Sequence, residues 1–213
     1  MAVIASPENL QPQSSLLQLP AEIKHIIYGL CFTTGTPIID PKIEYRKGQC
    51  GTMPGAPPAA SLLRTCRRTY HEADRRPLLT RNTFRFSDLG TMQGFLLALP
   101  VEYRMWIQDI EIDMRNLHSG RAHITQGWLQ YLAAAKSQTT SSLRTDAAGL
   151  KCLRINLEAW PVIPMFRTEL WDVLRSMLSE LKDLERIVVT GASRGKGMCQ
   201  KPPCSPVHFV GGD

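Results

Sequence analysis

The residues whose types and spacing suggest chemistry cluster near the C-terminus. Thr190–Gly197 reads TGASRGKG directly after an apolar segment. Glycines in that pattern let backbone N–H groups approach a dinucleotide pyrophosphate. Such a loop needs βα units after it, whereas the 16 residues after Gly197 contain Pro202-Pro203, which blocks a following helix. The Tyr-x-x-x-Lys pair that serves hydride transfer beside such a loop is missing too, because Ala135 stands four residues after Tyr131. Gly191-Ala192-Ser193-Arg194-Gly195 matches a GxSxG nucleophile elbow, but that chemistry needs an acid and a histidine on later strands. Only His208 and Asp213 follow. Cys199, Cys204 and His208 have C-x4-C-x3-H spacing without the second clean pair that tetrahedral zinc favours. His71-Glu72 opens an HExxH pattern that Arg75 breaks at the second histidine. His25, His118 and His123 have no partner at a ligand spacing and are read as surface or interface residues. No catalytic residue, cofactor or metal is expected, and the chain is not read as an enzyme.

Charge gives a different candidate. The formal net charge is +6, from 25 basic and 19 acidic residues. Residues 41–86 alone carry ten basic groups against three acidic, a local net of +7. On one continuous helix, Arg64, Arg67, Arg68 and Arg75 would share a face at i, i+3, i+4 and i+11. Such a face would contact phosphates, with salt-dependent affinity for nucleic acid. The competing reading is a solvated face, or arginines clamping carboxylates within the fold.

The elements that must position these residues follow from periodicity. Ile23, Ile26, Ile27, Leu30 and Cys31 recur at helical spacing after Pro20, which suits a first helical turn, and the helix is expected to stop before Thr33-Thr34-Gly35. Ala59 to about Ala73 reads as a second helix, with Pro77 marking its end or a break beyond it. Strands are expected at Ile38-Ile39 or Ile43–Tyr45, at Phe84–Phe86, and at Ile107–Met114, Leu150–Leu157 and Leu184–Thr190. Gln126–Lys136 and Phe166–Leu181 read as helices between the later strands. The last three strands each place apolar residues at i, i+3 and i+5, starting 43 and then 34 residues apart. These units resemble leucine-rich repeats with longer periods than true ones.

The 213 residues, 43% of them apolar, suffice for a packed core without disulfide staples. No run approaches the length of a membrane span, and the first residues lack a basic n-region and a long apolar h-region. The six cysteines follow no framework spacing; Cys31, Cys66 and Cys152 sit at apolar positions as small hydrophobes. An intracellular protein with reduced thiols, in cytoplasm or nucleus, is expected.

Two segments carry a family resemblance. Leu16-Leu17-Gln18-Leu19-Pro20-Ala21-Glu22-Ile23-Lys24-His25-Ile26-Ile27-Tyr28 resembles the LLxLPxEIRxxIY opening of fungal F-box-like proteins. Leu62-Leu63-Arg64-Thr65-Cys66-Arg67-Arg68-Thr69-Tyr70-His71-Glu72-Ala73, followed by Asn82-Thr83-Phe84-Arg85-Phe86, is similar to the LLxTCRxxYxEA…NTFxF signature of the same family. The resemblance covers about residues 16 to 190. It departs at the loop Thr34–Pro58 and at the segment Asp74–Arg81, which lacks the tyrosine usual after its leucines. It implies a non-catalytic interaction module, a substrate-recruiting subunit of a cullin ubiquitin ligase that docks on a Skp-type adaptor and captures a protein substrate. Leu17, Leu19, Pro20, Ile23 and Ile27 would be the anchors entering an apolar groove. The competing reading of the same stripe is core. Nucleic-acid binding through residues 41–86 is the alternative function.

The expected fold is α+β. F-box-like N-terminal helices pack on a small α/β layer with leucine-rich-repeat-like strand–helix units. The expected organisation is a disordered tail over 1–15 and an F-box-like region over 16–86, with a Gly/Pro-rich loop at 33–58. An α/β region over 87–190 and a flexible tail over 191–213 follow.

Overall fold

A computed structural model describes residues 13–41, 58–114, 127–128, 130–132, 141–159, 172, 184–192 and 207–211. Its helices are α1 (Ser15–Gln18), α2 (Ala21–Cys31), α3 (Arg67–Glu72), α4 (Arg76–Thr80), α5 (Leu89–Ala98), α6 (Val101–Arg104) and α7 (Leu143–Asp146). A 3-10 turn spans Pro58–Arg64, and residues 127–132 are helical where described. The strands are β1 (Ile38–Ile39), β2 (Thr83–Phe86), β3 (Asp109–Asp113), β4 (Cys152–Ala159), β5 (Arg186–Ala192) and β6 (Val207–Gly211).

The six strands form one sheet in the order β1-β2-β3-β4-β5-β6, with every neighbouring pair parallel. Crossovers between parallel strands are right-handed, so crossovers that always step the same way return over the same face. Burial follows that rule. Phe84, Phe86, Ile110, Ile112, Leu153, Ile155, Ile187 and Val189 are all fully buried on one face. Met92, Phe95 and Leu96 of α5, with Trp128, Leu132 and Leu143, complete that core. Phe95 lies between Phe84 and Phe86, with ring centroids 5.4 and 5.7 Å away.

The other sheet face is polar and laced across strands. Arg85 pairs in register with Glu111 at 2.9 Å. Arg154, in register with Glu111, reaches diagonally to Asp109, its Nε donating at 3.0 Å and its Nη2 at 2.8 Å. Arg186 Nε donates to Cys152 Sγ at 3.3 Å. Opposite charges at facing and diagonal positions are what hold such a ladder together.

The N-terminal helices have a smaller core of their own, formed by Tyr28, Phe32 and Ala73 with Leu16, Leu62, Leu63 and Leu78 packed against it. Asn82 joins this layer to the sheet. Its Nδ2 donates to Phe32 O at 2.6 Å and Leu78 O at 2.8 Å, while Oδ1 accepts from Thr34 N and Thr34 Oγ1. One buried side chain thus ends both α2 and α4 and fixes the start of β2.

The mixed class of helices with a sheet is as expected, and so are the positions of α2 and β1 to β5. Four expectations need correction. Ala59–Ala73 is not one helix: the 3-10 turn stops at Arg64, and α3 restarts after Cys66, whose thiol accepts from Thr69 N as an N-cap. Pro77 opens rather than ends a helix, because the first turn of α4 has no use for its missing N–H. Ser15 already belongs to α1 rather than to a tail. Finally, residues 191–213 are not all loose. β5 runs to Ala192, and β6 adds a strand at its edge, since Val207-His208-Phe209-Val210 suits a strand and the edge of β5 has backbone groups to pair. Ile43–Tyr45, most of Phe166–Leu181 and most of the tail over 1–15 lie outside the described residues.

Candidate protein-interaction surface

Helix α2 turns the wrong face inward for an ordinary amphipathic helix. Its buried positions are Lys24, Tyr28 and Gly29, continued by Phe32 beyond the last turn. Its apolar stripe faces solvent: Ile23 is 44% exposed, Ile26 60% and Leu30 71%, with Leu19 just before the helix at 37%. Scattered exposed leucines need no explanation, but a contiguous apolar face over two helical turns does.

A partly buried ion cluster holds the helix in this orientation. Lys24, only 7% exposed, donates from Nζ to Glu72 Oε2 at 2.7 Å. Arg68 Nε donates to Glu72 Oε1, also at 2.7 Å, and Arg68 Nη2 reaches Leu17 O at 3.2 Å. A lysine taken out of water without such a carboxylate would lose its charge or drag the helix outward. Rotating α2 to bury Ile26 and Leu30 would therefore break this cluster and expose Tyr28. Burial alone pushes the Glu72 carboxyl up, yet the hydrogen bonds from Lys24 and Arg68 outweigh it and hold the carboxyl below its usual range. Burial likewise raises the Tyr28 hydroxyl. At Cys66, burial raises the thiol but the Thr69 hydroxyl and N–H outweigh it, leaving a net decrease.

The expected anchors separate into two groups. Leu17 is 5% exposed and belongs to the core, not to the exposed stripe. Leu19, Pro20 and Ile23 are exposed, and Ile27 is half-buried at the border. Ile26 and Leu30, the most exposed members of the stripe, were not among the expected anchors. The helical period that revealed the stripe contained both; nothing local distinguished its inner from its outer edge.

The shared arginine face does not form, because the helix that would carry it is broken at Thr65-Cys66. Arg64 and Arg67 are exposed, Arg68 is committed to Glu72, and Arg75 lies over the Tyr70 ring at 4.6 Å while donating to its hydroxyl. Arg85 and Arg76 pair with Glu111 and Asp74. Much of the basic excess is spent on internal contacts.

The remaining motifs resolve simply. Thr190-Gly191-Ala192 lies within β5, paired with β6, instead of forming a loop after a strand. Among the described strands the order follows the chain without reversal. His208 sits in β6 opposite Val188, while Cys199 and Cys204 lie outside the described residues. No group of three or more metal-ligating side chains occurs among the described residues. His71, His25 and Cys31 are exposed, Cys66 is half-buried and Cys152 is buried. No helix among the described residues is long and apolar enough to cross a membrane.

Comparison with protein-family models, curated proteins and solved structures found no match for this chain.

Proposed function

We propose that this chain is a non-catalytic protein-interaction module of the F-box-like type, with α2 docking on a Skp-type adaptor of a cullin ubiquitin ligase. The strand–helix part would present a protein substrate. The observation that carries this reading is the outward apolar stripe of Leu19, Ile23, Ile26 and Leu30, held there by the Lys24–Glu72 cluster. Helix-in-groove recognition uses anchors at this spacing. The four side chains together expose the equivalent of about two whole ones, which on burial would contribute ~3–6 kcal/mol before association costs.

The residues of the resemblance support the same reading by a second route. Lys24 and Tyr28 from the first segment, Cys66 and Glu72 from the second, and Asn82 from the third converge on one helical layer. Their roles are architectural, which leaves the stripe as the part free to vary with a partner. A leucine-rich-repeat-like reading of the sheet draws on its chain-order parallel strands. Such a module would work in cytoplasm or nucleus, where that adaptor is found. The nucleic-acid alternative gains nothing from the separated arginines.

Co-expression with a Skp-type adaptor tests the proposal. Wild type should co-purify, whereas Leu19→Asp/Ile23→Asp and Ile26→Asp/Leu30→Asp should not, with melting temperatures within a few degrees of wild type because these side chains are exposed. Absence of wild-type co-purification would sink the adaptor reading.

A further inference from the structure

A hollow of about 240 Å3 opens between the loop after α2 and the polar sheet face, lined in part by Gly35, Thr36, Arg81, Thr83, Glu111 and Arg154. Its hydrogen-bonding capacity is lopsided. Arg81 is exposed, and its guanidinium has no ion-pair or hydrogen-bond partner among the described residues. Arg154 spends Nε and Nη2 on Asp109, and its Nη1 has no partner among the described residues. The hydroxyls of Thr36 and Thr83 are also without partners among the described residues. Against these donors stands one carboxylate, Glu111, whose Oε1 already faces Arg85 and Asn156. Its Oε2 has no partner among the described residues and accepts only, whereas the threonine hydroxyls can donate or accept.

We propose that this hollow binds a peptide segment carrying an acidic side chain. The peptide carboxylate takes the guanidinium donors of Arg81 and Arg154, and Glu111 Oε2 accepts a peptide backbone N–H. Two arginines at one site suit planar carboxylate recognition through paired N–H donors. The acceptor beside them favours a peptide over a bare anion, which would meet Glu111 with nothing to donate. Arg85 offsets the Glu111 charge and Asp109 offsets that of Arg154, so Arg81 is left as the net positive charge of the hollow. This site is separate from the α2 stripe and does not depend on the adaptor reading.

NMR titration of the full chain with acetyl-Ala-Glu-Glu-Ala-amide, with acetyl-Ala-Gln-Gln-Ala-amide as comparison, tests the assignment. The glutamate peptide should give saturable shifts of the Gly35, Thr36 and Thr83 amides and of the arginine Nε–H signals. The glutamine peptide and the Arg81→Gln variant should each bind at least tenfold more weakly. Arg64→Gln, an exposed arginine away from the hollow, should bind as wild type does. Absence of saturable shifts, equal shifts with both peptides, or undiminished binding in Arg81→Gln overturns the proposal. Arg81 is exposed, so its substitution is expected to leave the fold intact, and an unchanged amide spectrum of the free variant verifies this.

Discussion

Replacing Asn82 tests the architecture at its most connected side chain. Asn82 is 1% exposed, and all of its amide capacity points at named partners. In Asn82→Ala, Phe32 O loses a 2.6 Å donor in a buried setting, and a buried unsatisfied group costs ~1–3 kcal/mol. Leu78 O and Thr34 N are part-buried, so water replaces their lost partner in part, at ~0.5–1 kcal/mol each. The expected loss is about 3 kcal/mol, a large fraction of the ~5–15 kcal/mol typical of a folded domain. Urea unfolding followed by far-UV circular dichroism and tryptophan fluorescence should show coincident transitions at a lower midpoint, with the melting temperature falling by roughly 6–12 °C. Asn82→Asp sharpens the test. The carboxylate keeps the acceptor for Thr34 but turns lone pairs toward two carbonyls, so its folded-state pKa rises above the unfolded value of about 3.9. The folded state then binds more protons than the unfolded state, and stability must fall as pH rises from 4 to 7. A loss under ~1 kcal/mol in the alanine variant, or a pH-independent aspartate variant, would refute the inference that Asn82 joins the helical layer to the sheet.

Three further outcomes are expected. The depressed Glu72 carboxyl contributes stability that is present above its unfolded pKa of about 4.3 and is lost as pH falls through the lower folded value. Acid unfolding of Glu72→Gln should therefore lack part of the wild-type pH dependence in that range, as read by circular dichroism. At Gly149 an added Cβ would run into Met105 O, a backbone atom rather than the end of a flexible side chain. Gly149→Ala should lower the urea midpoint by the equivalent of ~2 kcal/mol or more, whereas Gly94→Ala, which meets nothing within 4 Å, should match or exceed wild type because it lies within α5. Arg154→Leu, which strands Asp109 on the half-buried sheet face, should destabilise more than the double replacement Arg154→Leu/Asp109→Leu. A double-mutant cycle completed with Asp109→Leu measures the coupling in urea; additive losses would mean that the pair contributes nothing.

Local patterning made the elements legible. The stripe at Ile23, Ile26, Ile27 and Leu30 identified α2, and the apolar recurrence at i, i+3 and i+5 identified β3, β4 and β5, because both periods are properties of a few consecutive residues. The split at Cys66 was not legible. The cap is a thiol, outside the usual hydroxyl and carboxylamide set, and the arginines on either side of it imitate one continuous face. Strand β6 was obscured by the Gly/Pro-rich residues before it, and its place depends on the edge that β5 presents.

The sequence by itself determined where α2 and β2 to β5 form, and which residues make the apolar stripe of α2. Which way that stripe faces was decided only by tertiary structure. Lys24 and Glu72 lie 48 residues apart, and no periodicity within α2 registers a carboxylate arriving from α3. The same holds for the hollow, where Arg81 and Arg154 meet because β2, β3 and β4 align in parallel. Apolar spacing can be read along the chain because it acts over one or two turns. The partner of a buried charge cannot, because desolvation forces the charge to find one wherever the fold brings it.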